Sequence, residues 1–329
     1  MRVFVYEHIT GGAFAHEPLP TLLVHEGDLM LQSLVHDLTD IPGVEVLVTR
    51  DPRLTSLPHP VSTLVPVADE SIFDLFRRGC DMADAVWPVA PETGGVLERL
   101  TGIASQSGRV LLGCRAAAVK ICASKMSTSR LLVEAGVNSI RTYDDFSLLP
   151  PDVEELVIKP DDGAGCTETR LVSRDEALEW WANGTHSGFV LQPYLSGDAL
   201  SLSLLCRNGR CQLLTCNRQR VHIDNGEFRF AGVGVNEVRE NLSTYAVLAD
   251  QVAAAIPGLW GYVGVDIVHT KTGPVVIEVN PRLTTSYAGL RRALHCNPAA
   301  LVLGLLQPEH AVQLQPGAGT TVEIGVGHA

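Results

Sequence analysis

Two acids and an amide in the last third of the chain are spaced to share one strand face. Gly261–His269 and Val275–Val279 read as strands flanking a Lys271-Thr272-Gly273 turn. A turn centred on Thr272 sets Asp266 opposite Glu278, with Cβ atoms ~4.5–5.5 Å apart. Asn280 lies two residues beyond Glu278 and points to the same side. Carboxylates that close repel unless a cation lies between them. Hard oxygen donors of this kind suit Mg²⁺, which takes one or two carboxylates plus substrate phosphates. A solvated face with an incidental Asp and Glu is the plainer alternative, and the spacing favours the metal over it.

A second group lies upstream, in Val157-Ile158-Lys159-Pro160-Asp161-Asp162-Gly163-Ala164-Gly165-Cys166. A strand delivers Lys159, and a glycine-rich loop follows. Such a loop can turn N–H groups toward an anion, and the lysine adds a point charge. No Gly-Lys-Ser/Thr closes the loop, so it is not a Walker A sequence. Alone it is equally an ordinary strand-to-turn connection. Lys125 opens a helix over Ser124–Ala135 that Gly136 stops, and by itself reads as a solvated helix residue. Gln192–Asp198, bracketed by Pro193 and Gly197, reads as an interdomain linker. Trp180-Trp181 reads as packing rather than a stacking platform.

These groups need elements to position them. Arg2–Tyr6, Val44–Val48, Ala85–Val89 and Val110–Leu112 are short apolar strands separated by helical stretches such as Thr21–Leu38. That alternation predicts an open parallel α/β sheet. Ligands of such sheets sit at the carboxyl ends of the strands, which singles out the loops Glu7–Ala15 and Pro91–Gly95. A smaller middle block follows. Its strands are Leu156–Lys159 and Phe189–Gln192, and its helix opens on the capping box Ser173-Arg174-Asp175-Glu176. The last third is rich in hairpins, with Asn208-Gly209 between strands Ala199–Cys206 and Cys211–Cys216 as the clearest turn. The expected division is 1–113, 114–193 and 194–329.

Composition narrows the class. The 329 residues carry 25 Lys and Arg against 37 Asp and Glu, a net charge of −12. Such a field repels nucleic-acid backbones and anionic lipid surfaces. No apolar run reaches the ~18 residues of a membrane helix, and Met1–Tyr6 reads as a strand rather than a signal peptide. A soluble, cytoplasmic protein is expected, with a homodimer the commonest assembly for such chains. Eight cysteines form no C-x-x-C and no His-completed zinc pattern. Cys206, Cys211 and Cys216 read as buried reduced thiols. A dehydrogenase sheet is excluded by the lack of G-x-G-x-x-G after the first strand.

Taken in order, Lys125, Lys159 with its glycine loop, Gln192–Asp198, Asp266 and Glu278-Val279-Asn280-Pro281-Arg282 resemble the ATP-grasp superfamily over roughly Leu112–Arg292. The resemblance implies an α/β protein with an N-terminal open parallel-sheet domain, a small lid lobe and a C-terminal antiparallel-sheet lobe. It implies ATP and Mg²⁺ as cofactors, with two ions expected and Mn²⁺ able to substitute. Carried over by position, Lys125 and Lys159 would hold phosphates under a loop of Gly163, Ala164 and Gly165. Gln192, Tyr194 and Leu195 would meet adenine, and Asp198 the ribose. Asp266, Glu278 and Asn280 would bind magnesium. Arg282, with Arg218 or Arg220, would hold the developing oxyanion. The D-alanine ligase branch has an arginine two residues before the first metal acid. This chain has Gly264 there, which argues against that branch.

A narrower likeness lies in Tyr6-Glu7-His8-Ile9-Thr10-Gly11-Gly12, Pro18-Leu19-Pro20, Glu26-Gly27, Ala90-Pro91-Glu92-Thr93 and Asn217-Arg218-Gln219. These resemble the tyramine–L-glutamate ligases of methanofuran biosynthesis. That implies L-glutamate, tyramine and ATP as partners and no macromolecular substrate. Glu7 or Glu92 would then attract the cationic amine, with turn capping as the equal alternative for both. Other readings are an ATP-grasp ligase with a different amino acid and amine, or a non-catalytic ATP-binding regulator. The complete set of five ATP and metal residues argues against the regulator.

Overall fold

Apolar runs in the first third build a parallel sheet. The structure is a computed structural model, and it describes residues 1–67, 70–163, 166–184, 186–307 and 314–326. Strands β1 (Arg2–Glu7), β2 (Glu45–Thr49), β3 (Ser62–Leu64), β4 (Ala85–Val89) and β5 (Val110–Leu111) lie in the order β3-β2-β1-β4-β5. All neighbouring pairs in it are parallel. Helices α1 (Thr21–Thr39), α2 (Ile72–Asp81) and α3 (Val96–Gln106) connect them. Both faces of β1 and β4 are covered, so these strands read as continuous apolar runs rather than alternating ones. The strand order reverses at β1. The loops after β1 and β4 therefore diverge and leave a crevice between them, the usual ligand position in such sheets.

Two helices, α4 (Ala116–Ala123) and α5 (Lys125–Glu134), lead to the lid. Ser124 caps α5 by accepting from Ser127 N–H. The lid holds β6 (Glu155–Pro160), β7 (Arg170–Ser173), α6 (Arg174–Ala182) and β8 (Phe189–Pro193). The Ser173–Glu176 capping box is present with both of its hydrogen bonds. The lid has a small core of its own, Leu149, Leu156, Ile158, Ala177 and Leu191, with Trp180 and Trp181 packed against it.

The last third supplies β9 (Asp198–Arg207), β10 (Arg210–Asp224), β11 (Glu227–Val235), α7 (Leu242–Ala255), β12 (Gly261–Thr270), β13 (Gly273–Asn280), α8 (Tyr287–Leu294), α9 (Pro298–Gly304) and β14 (Val322–Gly325). These strands continue into the lid as one sheet ordered β13-β12-β9-β10-β11-β7-β6-β8, with β14 beside β11. The lid joins it through a single residue pair, Glu227 with Arg170. By contrast, two large cores mix side chains of the first and last thirds: Phe4, Leu100 and Val119 with Leu202 and Val263 in one, Val5 and Leu34 with Tyr287 and Leu290 in the other. Each fully buried side chain of that size is worth ~1.5–3 kcal/mol. First and last thirds therefore form one body, and the lid is a satellite on it.

The structure corrects one expectation about the thiols. Cys206 and Cys211 face each other across the Asn208-Gly209 turn, with Cα atoms 4.2 Å apart, and form a disulfide. Cys216 remains a free buried thiol. Directly opposed cysteines on paired strands fall within bridging range. Among the described residues, no helix is long and apolar enough to cross a membrane.

Candidate active site

β12 delivers Asp266 and β13 delivers Glu278, and the two are partners in the ladder, with Gly264 opposite Asn280. The connection is tighter than a turn centred on Thr272. Thr270 pairs with Gly273, so only Lys271 and Thr272 join the strands. Pairs near the turn therefore run one residue out of step. An extra residue on β13, Ile277, restores the Asp266–Glu278 pairing, as a β-bulge does.

Asp266 lies deep in the cleft. Desolvation, and then the Glu278 carboxylate, push its carboxyl up to about 7. Its Oδ1 accepts from Gln219 Nε2 at 2.9 Å, and its Oδ2 accepts from Asn280 Nδ2 at 3.1 Å. An acid raised this far by a second acid is one that a bound cation would return to its charged form. Two carboxylates and an amide on one face fit Mg²⁺, which asks for few protein ligands when phosphates supply the rest. No cluster of three or more His, Cys, Asp or Glu side chains that could hold a metal occurs among the described residues.

Two lysines converge on the same acids. Lys125 Nζ lies 3.6 Å from Glu278 Oε1 and donates to the Gly163 carbonyl at 2.6 Å and the Asp161 carbonyl at 3.3 Å. It is buried, not the solvated helix residue its position alone suggests. Asp161 also accepts from Met126 N–H at the start of α5, favourable placement for an anion at a helix N-terminus. Lys159 is buried beside Lys125. Loss of hydration lowers its pKa to about 8; Glu278 pulls the other way and Lys125 adds to the fall. A lysine so destabilised gains most from an incoming polyanion. Of the glycine loop, Gly163 is placed as described, whereas Ala164 and Gly165 lie outside the described residues.

Arg282 follows the acids on the loop after β13. It is half-buried, and its Nε and Nη2 engage both carboxylate oxygens of Glu92 at 3.0 Å. Burial works against its charge, but Glu92, then Glu278 and Asp266, keep it protonated. Glu92 is thus the partner of an arginine, not an open acid. Its neighbours Thr93 and Gly94 hold the lid loop: the Thr93 hydroxyl donates to the Asp162 carbonyl at 3.0 Å, and Gly94 N–H to Asp162 Oδ2 at 3.1 Å. Glu7 is also engaged. It accepts from Ile9 N–H and from both the N–H and hydroxyl of Thr10 at 2.6–3.1 Å, closing the turn after β1. Its carboxyl packs so tightly on Gly27 that a Cβ there would come within 2.8 Å. Glu7 thus caps a turn, the alternative the sequence offered for it, whereas Glu92 is held by Arg282, which neither alternative named.

Arg218 and Arg220 are not brought to Asp266. Alternation along β10 sends Asn217 and Gln219 to the cleft and the two arginines to the other face. There Arg218 pairs with Asp198 at 3.1 Å and Glu237 at 3.2 Å, and Arg220 with Glu237 and Glu323 at 2.5 and 2.7 Å. Asp198, at the start of β9, is exposed and committed to Arg218. Gln192 is buried with its amide donating to Thr142 Oγ1 at 2.8 Å, Tyr194 N–H donates to the Glu155 carbonyl, and Leu195 is half-buried beyond them.

Sequence reasoning missed a hydroxyl cluster beneath Asp266. Tyr262 O–H lies 2.8–3.1 Å from Thr284, Ser286 and Ser203, and Asn217 Nδ2 donates to Ser203 at 3.1 Å. These residues are scattered over 84 positions, with no local spacing to reveal them. The cluster also accounts for Gly264, where a Cβ would meet Thr284 Cγ2 at 2.6 Å. An arginine has no room at that position.

The pre-ATP-grasp 3 domain family matches residues 44–119, and the ATP-grasp domain family matches residues 122–286. The chain is 28% identical over 273 residues to a tyramine–L-glutamate ligase of Methanocaldococcus jannaschii, spanning 82% of this chain and 79% of that protein. A tyramine–L-glutamate ligase of Methanocaldococcus fervens is 26% identical over 297 residues, 88% of this chain and 89% of that one. Among solved structures, an ATP-grasp superfamily protein from Archaeoglobus fulgidus aligns with a TM-score of 0.72 at 24% identity, over 92% of this chain and 88% of that one. An L-amino acid ligase from Bacillus licheniformis aligns with a TM-score of 0.63 at 16% identity, over 92% and 73%. The structural likenesses carry the fold. The ATP-grasp match spans half of the sequence and covers both lysines, both acids and Arg282, and the chain belongs to the ATP-grasp family.

Proposed function

We propose that the protein is an ATP-dependent carbon–nitrogen ligase that joins the γ-carboxylate of L-glutamate to tyramine, as a step in making a methanofuran-type cofactor. The observation that carries the reading is the meeting of Lys125 and Lys159 with Asp266 and Glu278 in one buried cleft. The two relatives named as tyramine–L-glutamate ligases support the choice of substrates.

In this reading Lys159 and Lys125 bind the phosphates of ATP, and the loop from Gly163 closes over them. Lys125 exchanges its bond to the Gly163 carbonyl for a phosphate oxygen. With the Tyr194 N–H already engaged, the purine edge falls to the Tyr194 carbonyl and the Leu195 peptide. Asp266, Glu278 and Asn280 would hold Mg²⁺, which when bound offsets phosphate charge during transfer. The γ-phosphoryl group passes to a side-chain carboxylate oxygen of glutamate and ADP departs. The amine, having first given up the proton of its ammonium form, attacks the acyl carbon through its nitrogen, phosphate leaves, and the nitrogen loses a second proton to give the amide. Arg282, locked by Glu92, presents its charge to the tetrahedral oxyanion. Arg218 and Arg220 have no part in this step, because they face away from the cleft.

The test is mass spectrometry after incubation with ATP, Mg²⁺, L-glutamate and tyramine, with ADP followed in parallel. A glutamyl-tyramine mass with equimolar ADP is expected. ADP with a different amine, such as dopamine, would keep the ligase and change the substrate. ATP binding without ADP from any acid and amine pair would overturn the reading in favour of a regulator.

A further inference from the structure

Three acids of the N-terminal third belong to the motifs singled out in the sequence, Glu7, Glu26 and Glu92, and two are committed. Glu7 is satisfied by the turn after β1, and Glu92 by Arg282. The third is Glu26, in the first turns of α1. It is half-buried and hydrogen-bonded with the Thr285 side chain, on the loop that carries Arg282. Arg282 and His25 lie near enough to favour its charge, and Cys166 of the lid is within its electrostatic reach. It therefore sits between the arginine loop and the lid. Among the described residues no Lys, Arg or His nitrogen reaches ion-pairing distance of it, in contrast to Glu92.

What flanks this acid is apolar. Leu22 and Leu23 lie four and three residues before it, on the same side of the helix, and each is 47% exposed. An unpaired carboxylate beside two open leucines is a complement to a cation with an apolar body. An ammonium would complete the charge that burial otherwise disfavours. On the reading that the protein is an amide ligase, we propose that Glu26 holds the ammonium of the incoming amine substrate, with its aromatic or alkyl arm along Leu22 and Leu23.

The experiment compares two nucleophiles in initial-rate assays with ATP and glutamate. Tyramine is cationic near neutral pH, and hydroxylamine is largely neutral. Hydroxamate formation by the wild-type protein stands for the ligase reading independently of Glu26. In Glu26→Gln the KM for tyramine should rise ~10- to 100-fold, the loss of a charge-assisted hydrogen bond. The KM values for hydroxylamine, glutamate and ATP should hold within about twofold, and Glu26→Asp should recover much of the loss. Leu22→Ser, an exposed change that leaves the acid in place, should raise the tyramine KM more than that of a short alkyl amine. An unchanged tyramine KM in Glu26→Gln overturns the proposal. So does a raised glutamate KM with both nucleophiles, which would put the glutamate ammonium there instead. If the wild type forms no hydroxamate, calorimetry of tyramine binding to both proteins still decides: equal affinities overturn the proposal.

Discussion

Along β10, consecutive side chains serve two faces that differ in kind. Asn217 and Gln219 point into the cleft, where they hydrogen-bond Ser203 and Asp266. Arg218 and Arg220 point away and clamp Asp198, Glu237 and Glu323. The cationic residues of β10 thus stand on the side that binds the chain together, and its neutral amides stand on the side of the acids. The reason is electrostatic. The amides at 217 and 219 add hydrogen bonds that orient the cleft side chains without adding to the positive charge that Lys125, Lys159 and Arg282 already bring to the acids. Arginine on the far face joins β10 to the segment after β11, 17 residues on, and to β14, 103 residues on.

This contrast can be broken at several points. The largest effect is expected on the cleft face. Asp266→Asn or Glu278→Gln should lower ADP formation at least about a thousandfold. The ligand-free Asp266→Asn protein should melt no earlier than the wild type, because that change removes the more strongly desolvated of two mutually repelling carboxylates. Early melting would show these acids to be structural. Arg282→Lys should cost about a hundredfold in turnover, since lysine keeps the charge but cannot span both oxygens of Glu92. Glu92→Gln should act in the same direction through the arginine it orients, with little change in ATP affinity by calorimetry.

A smaller effect concerns protons. Lys159, depressed to about 8 by burial, is largely neutral in the free protein above that pH. Bound phosphates favour its charged form. Nucleotide binding should therefore take up as much as one proton between about pH 8 and 9, and affinity should fall as pH rises through that window. Calorimetry in buffers of different ionisation enthalpy reads the uptake directly, and Lys159→Met should abolish it. The smallest effect belongs to the far face. Arg220→Ala should lower stability by about 1 kcal/mol, the scale of a partly exposed ion-pair network, and leave every KM unchanged. A raised ATP KM would return Arg220 to the cleft.

The difference between the faces marks how far the sequence could be read. Asp266 and Glu278 were legible as a facing pair, but the turn is one residue tighter than a centre on Thr272, and the bulge at Ile277, which no spacing showed, makes up the difference. The alternation along β10 was equally regular, but its phase depends on which neighbour each side packs against, and β14, which supplies Glu323, lies 103 residues from Arg220. Glu92 and Arg282 are 190 residues apart, so no local spacing could reveal that one acid was reserved for the other residue. The capping box at Ser173, a four-residue pattern, was fully legible. Glu26 stood out only as part of a short motif. Its open carboxylate follows from the commitments of Glu7 and Glu92, which only the folded chain displays.

The loop after β4 gives neighbouring residues two duties: Glu92 grips Arg282, while Thr93 and Gly94 hold Asp162 of the lid. A displacement of the lid loop therefore pulls on the segment that aims the arginine. On the proposed ligase reading, an acyl phosphate made while that grip is loose would meet water as readily as amine. Asp162→Ala should show this as leakage: ATP spent per amide formed should climb above one, while nucleotide affinity changes little. On the ligase reading, the economy of the reaction thus depends on a short stretch of backbone that ties the lid loop to the segment aiming the arginine.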